Sequence, residues 1–182
     1  MSLFAESSPS TSEPTESQAN THETPTVDVQ DADLVLYSED LAVGDCWTSQ
    51  AREISGEDVA TFASLTGDHD PLHSENPAAS PYGKPIVHGL LGLSVLAGLG
   101  TNYPRAATLT FMGIEDWQFL APVFFGDSVQ VRNEIVSLEQ HGRRAVKVRW
   151  LRQLINDSGR VVQEGHFLTL VANRARVRKR PR

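Results

Sequence analysis

The stretch KPIVHGLLGLSVLAGLG, Lys84 to Gly100, constrains what this chain can fold into more than any other. Its apolar residues leave almost no polar face, so it is predicted to be a helix buried all round. Its most apolar part, Ile86 to Leu99, is too short for the roughly 20 residues of a membrane span. Gly89, Gly92 and Gly98 each cost roughly 1 kcal/mol against alanine inside a helix. They make sense if another element packs very close to this one. A helix with no solvent face needs a surface that curls around it.

The C-terminal half of the chain supplies such a surface. From Thr108 the pattern changes to period two. TLTFMGIEDWQFL, DSVQVRNEIVSLEQ, RRAVKVRWLRQLIND and RVVQEGHFLTLVAN all alternate, and Gly126-Asp127, His141-Gly142 and Asp157-Ser158-Gly159 punctuate them. They read as four long antiparallel strands in a meander. Upstream, GDCWTSQAREI reads as a turn and one strand. Ser55 and Asp58 form a capping-box pattern that opens a helix with an apolar face of Val59, Phe62, Ala63 and Leu65, and Gly67 ends it. The expected fold is α+β: a single domain over 34–173, with a long antiparallel sheet wrapped around a buried central helix. One helix cannot cover both faces of the sheet. An edge or a free face is therefore expected to meet a second subunit.

Charge separates this body from its flanks. Residues 1–33 carry seven acidic groups and no Lys or Arg, are rich in Ser, Thr, Pro and Glu, and read as a disordered acidic tail. The body and the C-terminal end together hold 16 acidic and 16 basic residues, and six of the basic ones fall in 174–182. That basic tail reads as a solvated extension. A contact with nucleic acid, with a partner or with the acidic tail is the alternative, and nucleic acid is not the expected partner. Cys46 is the only cysteine, so no internal disulfide is possible and a reducing, cytoplasmic setting is expected. The N-terminus lacks the cationic start and apolar run of a secretory signal.

The chemistry is concentrated in TGDHDPLH, Thr66 to His73. His69 and His73 have the i, i+4 spacing of helical metal ligands. Pro71 between them disfavours a helical Asp70, and His88, His141 and His166 are scattered in sequence. No metal site is expected. Asp70 followed by Pro71 reads as an N-cap with proline at the first helical position, and Asn76-Pro77 repeats the device. Asp68 then precedes the cap and His73 lies on its first turn. A carboxylate and an imidazole facing one small molecule suit the holding and deprotonation of water, although a solvated polar loop fits this spacing equally well.

The longer stretch FASLTGDHDPLHSENPAASPYGKPIVHGLLGLSVLAGLG, Phe62 to Gly100, joins this polar loop to the apolar helix. It resembles the MaoC-like and (R)-specific enoyl-CoA hydratase family. The shared pattern is approximately G-D-x-N-P-x-H, a spacer, then F/Y-G-x-P-I-x-H-G-x-L. It is carried by Gly67, Asp68, Pro71, His73, Tyr82, Gly83, Pro85, Ile86, His88, Gly89 and Leu91. FLAPVFFGDSV, Phe119 to Val129, looks like the family's proline and Gly-Asp strand turn. The resemblance implies a hot-dog fold, usually a homodimer, and hydration of trans-2-enoyl thioesters of CoA or acyl-carrier protein to (R)-3-hydroxyacyl thioesters. It implies Asp68 and His73 as the catalytic pair, Gly89 N–H as the oxyanion donor, and no metal or redox cofactor.

The match departs from the family at two places. Asp70 stands where asparagine is usual, and its charge would bear on Asp68 or on substrate choice. A serine that some relatives carry on the central helix aligns with Ala97, which leaves Ser94, one turn away, as the candidate support. His88 is expected to make a structural hydrogen bond at the helix entrance, and His69 to lie on a loop surface. Two other readings stay open: a hot-dog acyl-CoA thioesterase, and a non-catalytic domain that binds acyl thioesters or a partner.

Overall fold

The computed structural model describes residues 34–74 and 80–174. The acidic tail, the basic end beyond Arg174 and the Asn76-Pro77 pair lie outside the described residues. Among the described residues no helix is long and apolar enough to cross a membrane.

The N-terminal strand expected in one piece is two short ones, β1 (Cys46–Thr48) and β2 (Arg52–Glu53), both antiparallel to the later strand β4 (Ser128–His141). Helix α1 follows at Gly56–Thr66. Ser55 Oγ accepts the N–H of Asp58 at 3.2 Å, and the Asp58 carboxylate accepts the N–H of Ser55 at 2.9 Å. The Ser55 N–H bond is the first cause that holds the Asp58 carboxyl below the usual aspartate range, with Arg52 beside it. Gly67 closes α1 in the left-handed region at φ 78. Val59 is buried as expected, whereas Leu65 is 81% exposed and does not belong to the buried face. Ser55→Ala will cost about 1 kcal/mol in chemical denaturation. Alanine keeps the Ser55 N–H that chiefly depresses the Asp58 carboxyl, and of the bonds to that carboxylate loses only the hydroxyl's, at 3.0 Å. A depressed carboxyl contributes stability above its ordinary pKa and loses it as pH falls through the folded value, so only that smaller part of the deficit will fade below about pH 4.

Helix α2 (Gly89–Leu99) is followed by β3 (Thr108–Phe119), β4 (Ser128–His141), β5 (Ala145–Asn156) and β6 (Val161–Ala172). The strands pair in the order β1-β4-β5-β6-β3, with every pairing antiparallel. The meander therefore comprises only β4, β5 and β6. β3 joins the far edge, beside β6 rather than β4. Positive-φ glycines at 126, 142 and 159 sit in the turns before β4, between β4 and β5, and between β5 and β6.

Along β4, β5 and β6 one row of side chains packs inward, including Val131, Ile135, Val148, Trp150, Leu154 and Phe167. Leu91, Gly92, Val95 and Leu96 of α2 are buried. The helix is not buried all round in the single chain: Leu90 is 60% exposed and Ser94 is exposed too, because the sheet covers one side only. The close packing that its glycines imply is real at two positions. A Cβ on Gly89 would come 2.9 Å from the Phe119 ring and one on Gly92 2.3 Å from the Gln163 amide, whereas Gly98 has open space.

β3 is the long free edge. Leu109, Phe111, Met112, Ile114 and Phe119 on it are all exposed. The opposite edge ends in the two- and three-residue strands β2 and β1.

Candidate active site

The site lies where the segment after α1 meets the start of α2. Asp70 caps a 3-10 turn over Pro71–His73, its side chain accepting the N–H of Leu72 at 2.9 Å, with proline at the first position. The Asp70 N–H donates to Asp68 Oδ1 at 3.3 Å, so the loop backbone orients that carboxylate. Ile86 N–H donates to the Leu72 carbonyl at 3.1 Å, and Val87 N–H to the Val123 carbonyl at 2.8 Å. These bonds tie the turn to the approach of α2, and that approach to the strand turn before β4. Within that turn, Asp127 accepts the N–H of Phe124 at 2.9 Å.

Two histidines are oriented through backbone carbonyls. His73 Nδ1 lies 2.7 Å from the Ile86 carbonyl oxygen, and His88 Nε2 lies 3.0 Å from the Asp68 carbonyl oxygen. A carbonyl only accepts, so the proton sits on Nδ1 of His73 and on Nε2 of His88. Neutral His73 then presents an unprotonated Nε2. His88 is 2% exposed, forms the N-cap of α2 and stacks on His73 with ring centroids 3.7 Å apart. Phe62 packs on its ring, with centroids 5.2 Å apart. The two histidines are distant in sequence, and the fold puts them face to face. His88 also holds the Asp68 backbone, while its Nε2 stays 3.9 Å from Asp68 Oδ2.

Ligand-type atoms of Asp68, His73 and His88 all lie within 4.8 Å of one another. That distance admits one water hydrogen-bonded to both Asp68 and His73, at about 2.8 Å from each. The trio suits a metal ion poorly. Stacked imidazoles whose planes lie only 27° apart keep their in-plane lone pairs in separate, nearly parallel planes, which are poorly placed to meet at one ion.

Gly89 is the first residue of α2, so its N–H has no intrahelical acceptor and sits at the positive end of the helix dipole. Its carbonyl accepts a hydrogen bond from Gln163 Nε2 at 3.1 Å, which anchors the helix start to β6. Sequence reading missed Gln163. The signal was a polar residue on the inward row of β6, two positions before Gly165. Ser94 is exposed, and its hydroxyl donates to the Leu90 carbonyl at 2.8 Å, one turn back on its own helix. His69 is exposed on the loop.

A long antiparallel sheet curled against one helix, with polar chemistry gathered at the helix start, defines a hot-dog domain. A Mycobacterium tuberculosis protein with a double hot-dog fold superposes with a TM-score of 0.70 at 19% identity, over 80% of this chain and 47% of that one. Residues 43–156 match the MaoC like domain, and the chain belongs to that family. It is 41% identical over 114 residues to a 3-hydroxybutyryl-CoA dehydratase of Methylorubrum extorquens, covering 61% of this chain and 71% of that protein. It is 31% identical over 146 residues to an (R)-specific enoyl-CoA hydratase of Rhodospirillum rubrum, covering 78% and 96%.

Proposed function

We propose that this protein is a hydro-lyase that interconverts trans-2-enoyl thioesters, of CoA or acyl-carrier protein, and (R)-3-hydroxyacyl thioesters. The observation that carries the reading is the Asp68–His73 pair, close enough to share one water and set beside the free N–H of Gly89. The names of its relatives, a dehydratase and a hydratase, support the same class of reaction.

Hydration places hydroxyl on C3 and hydrogen on C2. Asp68 and His73 Nε2 hold the water and take its proton as its oxygen attacks C3. The pair then returns that proton to C2 on the same face. Charge develops on the thioester oxygen as the C2–C3 double bond is consumed. The Gly89 N–H and the dipole of α2 stabilise it, a contribution of roughly 3–4 kcal/mol in comparable oxyanion sites. Addition of water changes no oxidation state overall, so the mechanism calls on no redox cofactor. The purified protein should deplete the enoyl absorbance of crotonyl-CoA or a longer trans-2-enoyl-CoA. Thiol release without loss of the enoyl group would point to a thioesterase instead.

The working unit on this reading is a homodimer joined along β3. A twelve-residue edge strand with five exposed large apolar side chains is a template for pairing with a second copy. Met112→Asp should shift the sedimenting species from dimer to monomer, and an unchanged dimer would exclude β3 as the seam.

A further inference from the structure

A second polar feature lies at the other end of α2. On β5 the inward row runs Val148, Trp150, Arg152, Leu154, so a cation occupies a position where the alternation calls for an apolar residue. Arg152 makes no hydrogen bond and no ion pair among the described residues, and its Nε is buried without a partner. Its guanidinium carbon sits 4.5 Å from the Phe167 ring centroid and 5.9 Å from that of Trp150. Gly100, just past α2, leaves it room: a Cβ there would fall 2.9 Å from Arg152 Nη1.

The guanidinium lines a cavity of about 550 Å³ with Gly100, Pro104, Phe111, Trp150 and Phe167. Arg105 also lines it, and among the described residues no carboxylate does. Taking an arginine out of water without a counter-charge is costly. Burial here pushes its pKa down to about 10. A guanidinium presents five donors in a planar fork that matches a carboxylate.

We propose that this cavity is a carboxylate-binding subsite, in which Arg152 takes the anionic end of a ligand whose apolar body lies against Phe111, Trp150 and Phe167. The carboxylate has two candidate sources. It can be the far end of the substrate's own acyl chain, a version that rests on the hydratase reading, or it can belong to a separate small acid. From Gly89 to Gly100 the helix axis rises about 16 Å. A thioester held at Gly89 and reaching Arg152 therefore needs a long chain, of the ω-carboxy enoyl class rather than a four-carbon acyl group.

Two assays on the full chain test this. The first compares kcat/KM for trans-2-dodecenoyl-CoA with that for its ω-carboxy counterpart, in the wild type, Arg152→Met and Arg152→Gln. The second measures sebacate binding to the same three proteins by calorimetry. A wild-type preference of about tenfold or more for the ω-carboxy thioester, collapsing in both variants, supports the subsite with the substrate tail as its source. Sebacate binding that is lost in both variants, without that preference, supports it with a separate acid as the source. Absence of both the preference and the binding in the wild type overturns it. So does preference or binding that persists in both variants, whatever their melting temperatures, because Arg152 then does not hold the carboxylate. If no enoyl thioester is hydrated at all, the functional reading fails while calorimetry still decides the cavity.

Discussion

Asp68→Asn will lower kcat for enoyl-CoA hydration by about a hundredfold to ten-thousandfold, the range expected when a positioned acid/base group is removed. An amide has nearly the shape of the carboxylate but cannot take a proton from water. The variant should fold normally, because the Asp68 side chain is half exposed and His88 bonds its backbone carbonyl, which asparagine keeps. His73→Gln should lose a comparable factor, since Nε2 is the nitrogen left free by the bond to Ile86. The two losses should not add in the double variant, because in the proposed mechanism both residues act on one water. Steady-state rates with crotonyl-CoA, beside thermal melting of each protein, separate lost chemistry from lost fold. Full turnover in both single variants would remove the pair from the mechanism.

Gly165→Ala will give the largest loss of stability among the glycine changes, about 1–3 kcal/mol, as expected for overpacking a dense interior. Gly165 lies on β6 opposite Arg152 on one side, with β3 on the other. A Cβ there would stand 2.6 Å from the Trp117 ring, 2.8 Å from Trp117 Cα and 3.1 Å from the Glu115 carbonyl oxygen. Two of those neighbours are backbone atoms, so rotating a side chain relieves only part of the clash. The β3–β6 pairing, already irregular between Glu115 and Gln118, must shift. Each kcal/mol lowers the melting temperature by about 2–4 °C in a chain of this size. Gly98→Ala is the contrast. Its Cβ meets nothing within 4 Å and its position is helical, so alanine there should be neutral or stabilising by up to about 1 kcal/mol. Equal melting temperatures for wild type and Gly165→Ala would refute the packing argument.

Signals in the sequence are legible where the physics is local. The period-two runs form β3 to β6, Ser55 and Asp58 form a capping box, and Asp70-Pro71 starts a turn. What escapes sequence reading is non-local. Nothing in TLTFMGIEDWQFL shows which sheet edge it joins, so a four-strand meander is the simplest expectation, and it puts β3 on the wrong side. Leu65 and Leu90 carry the hydropathy of buried residues but lie on faces that the described residues leave exposed. His88 is fifteen positions from His73, and only the folded path through Ile86 brings the rings together. Gln163 and Arg152 are a different case. Their inward direction follows from strand alternation alone, and counting polar residues on that row would have found both.

The two ends of the sheet are unlike, and that sets a limit on assembly. β3 offers twelve residues of open ladder, while at the other end the stubs Arg52–Glu53 and Cys46–Thr48 are laid along β4 and leave its last residues, 136–141, without a strand partner on that side among the described residues. When two copies meet β3 to β3 about a twofold axis, each consumes the same edge of the other, and the combined sheet is bounded by stubs at both ends. Further copies find too little open backbone to continue the ladder. In such a closed pair, an apolar edge that would otherwise invite fibre growth would be used up.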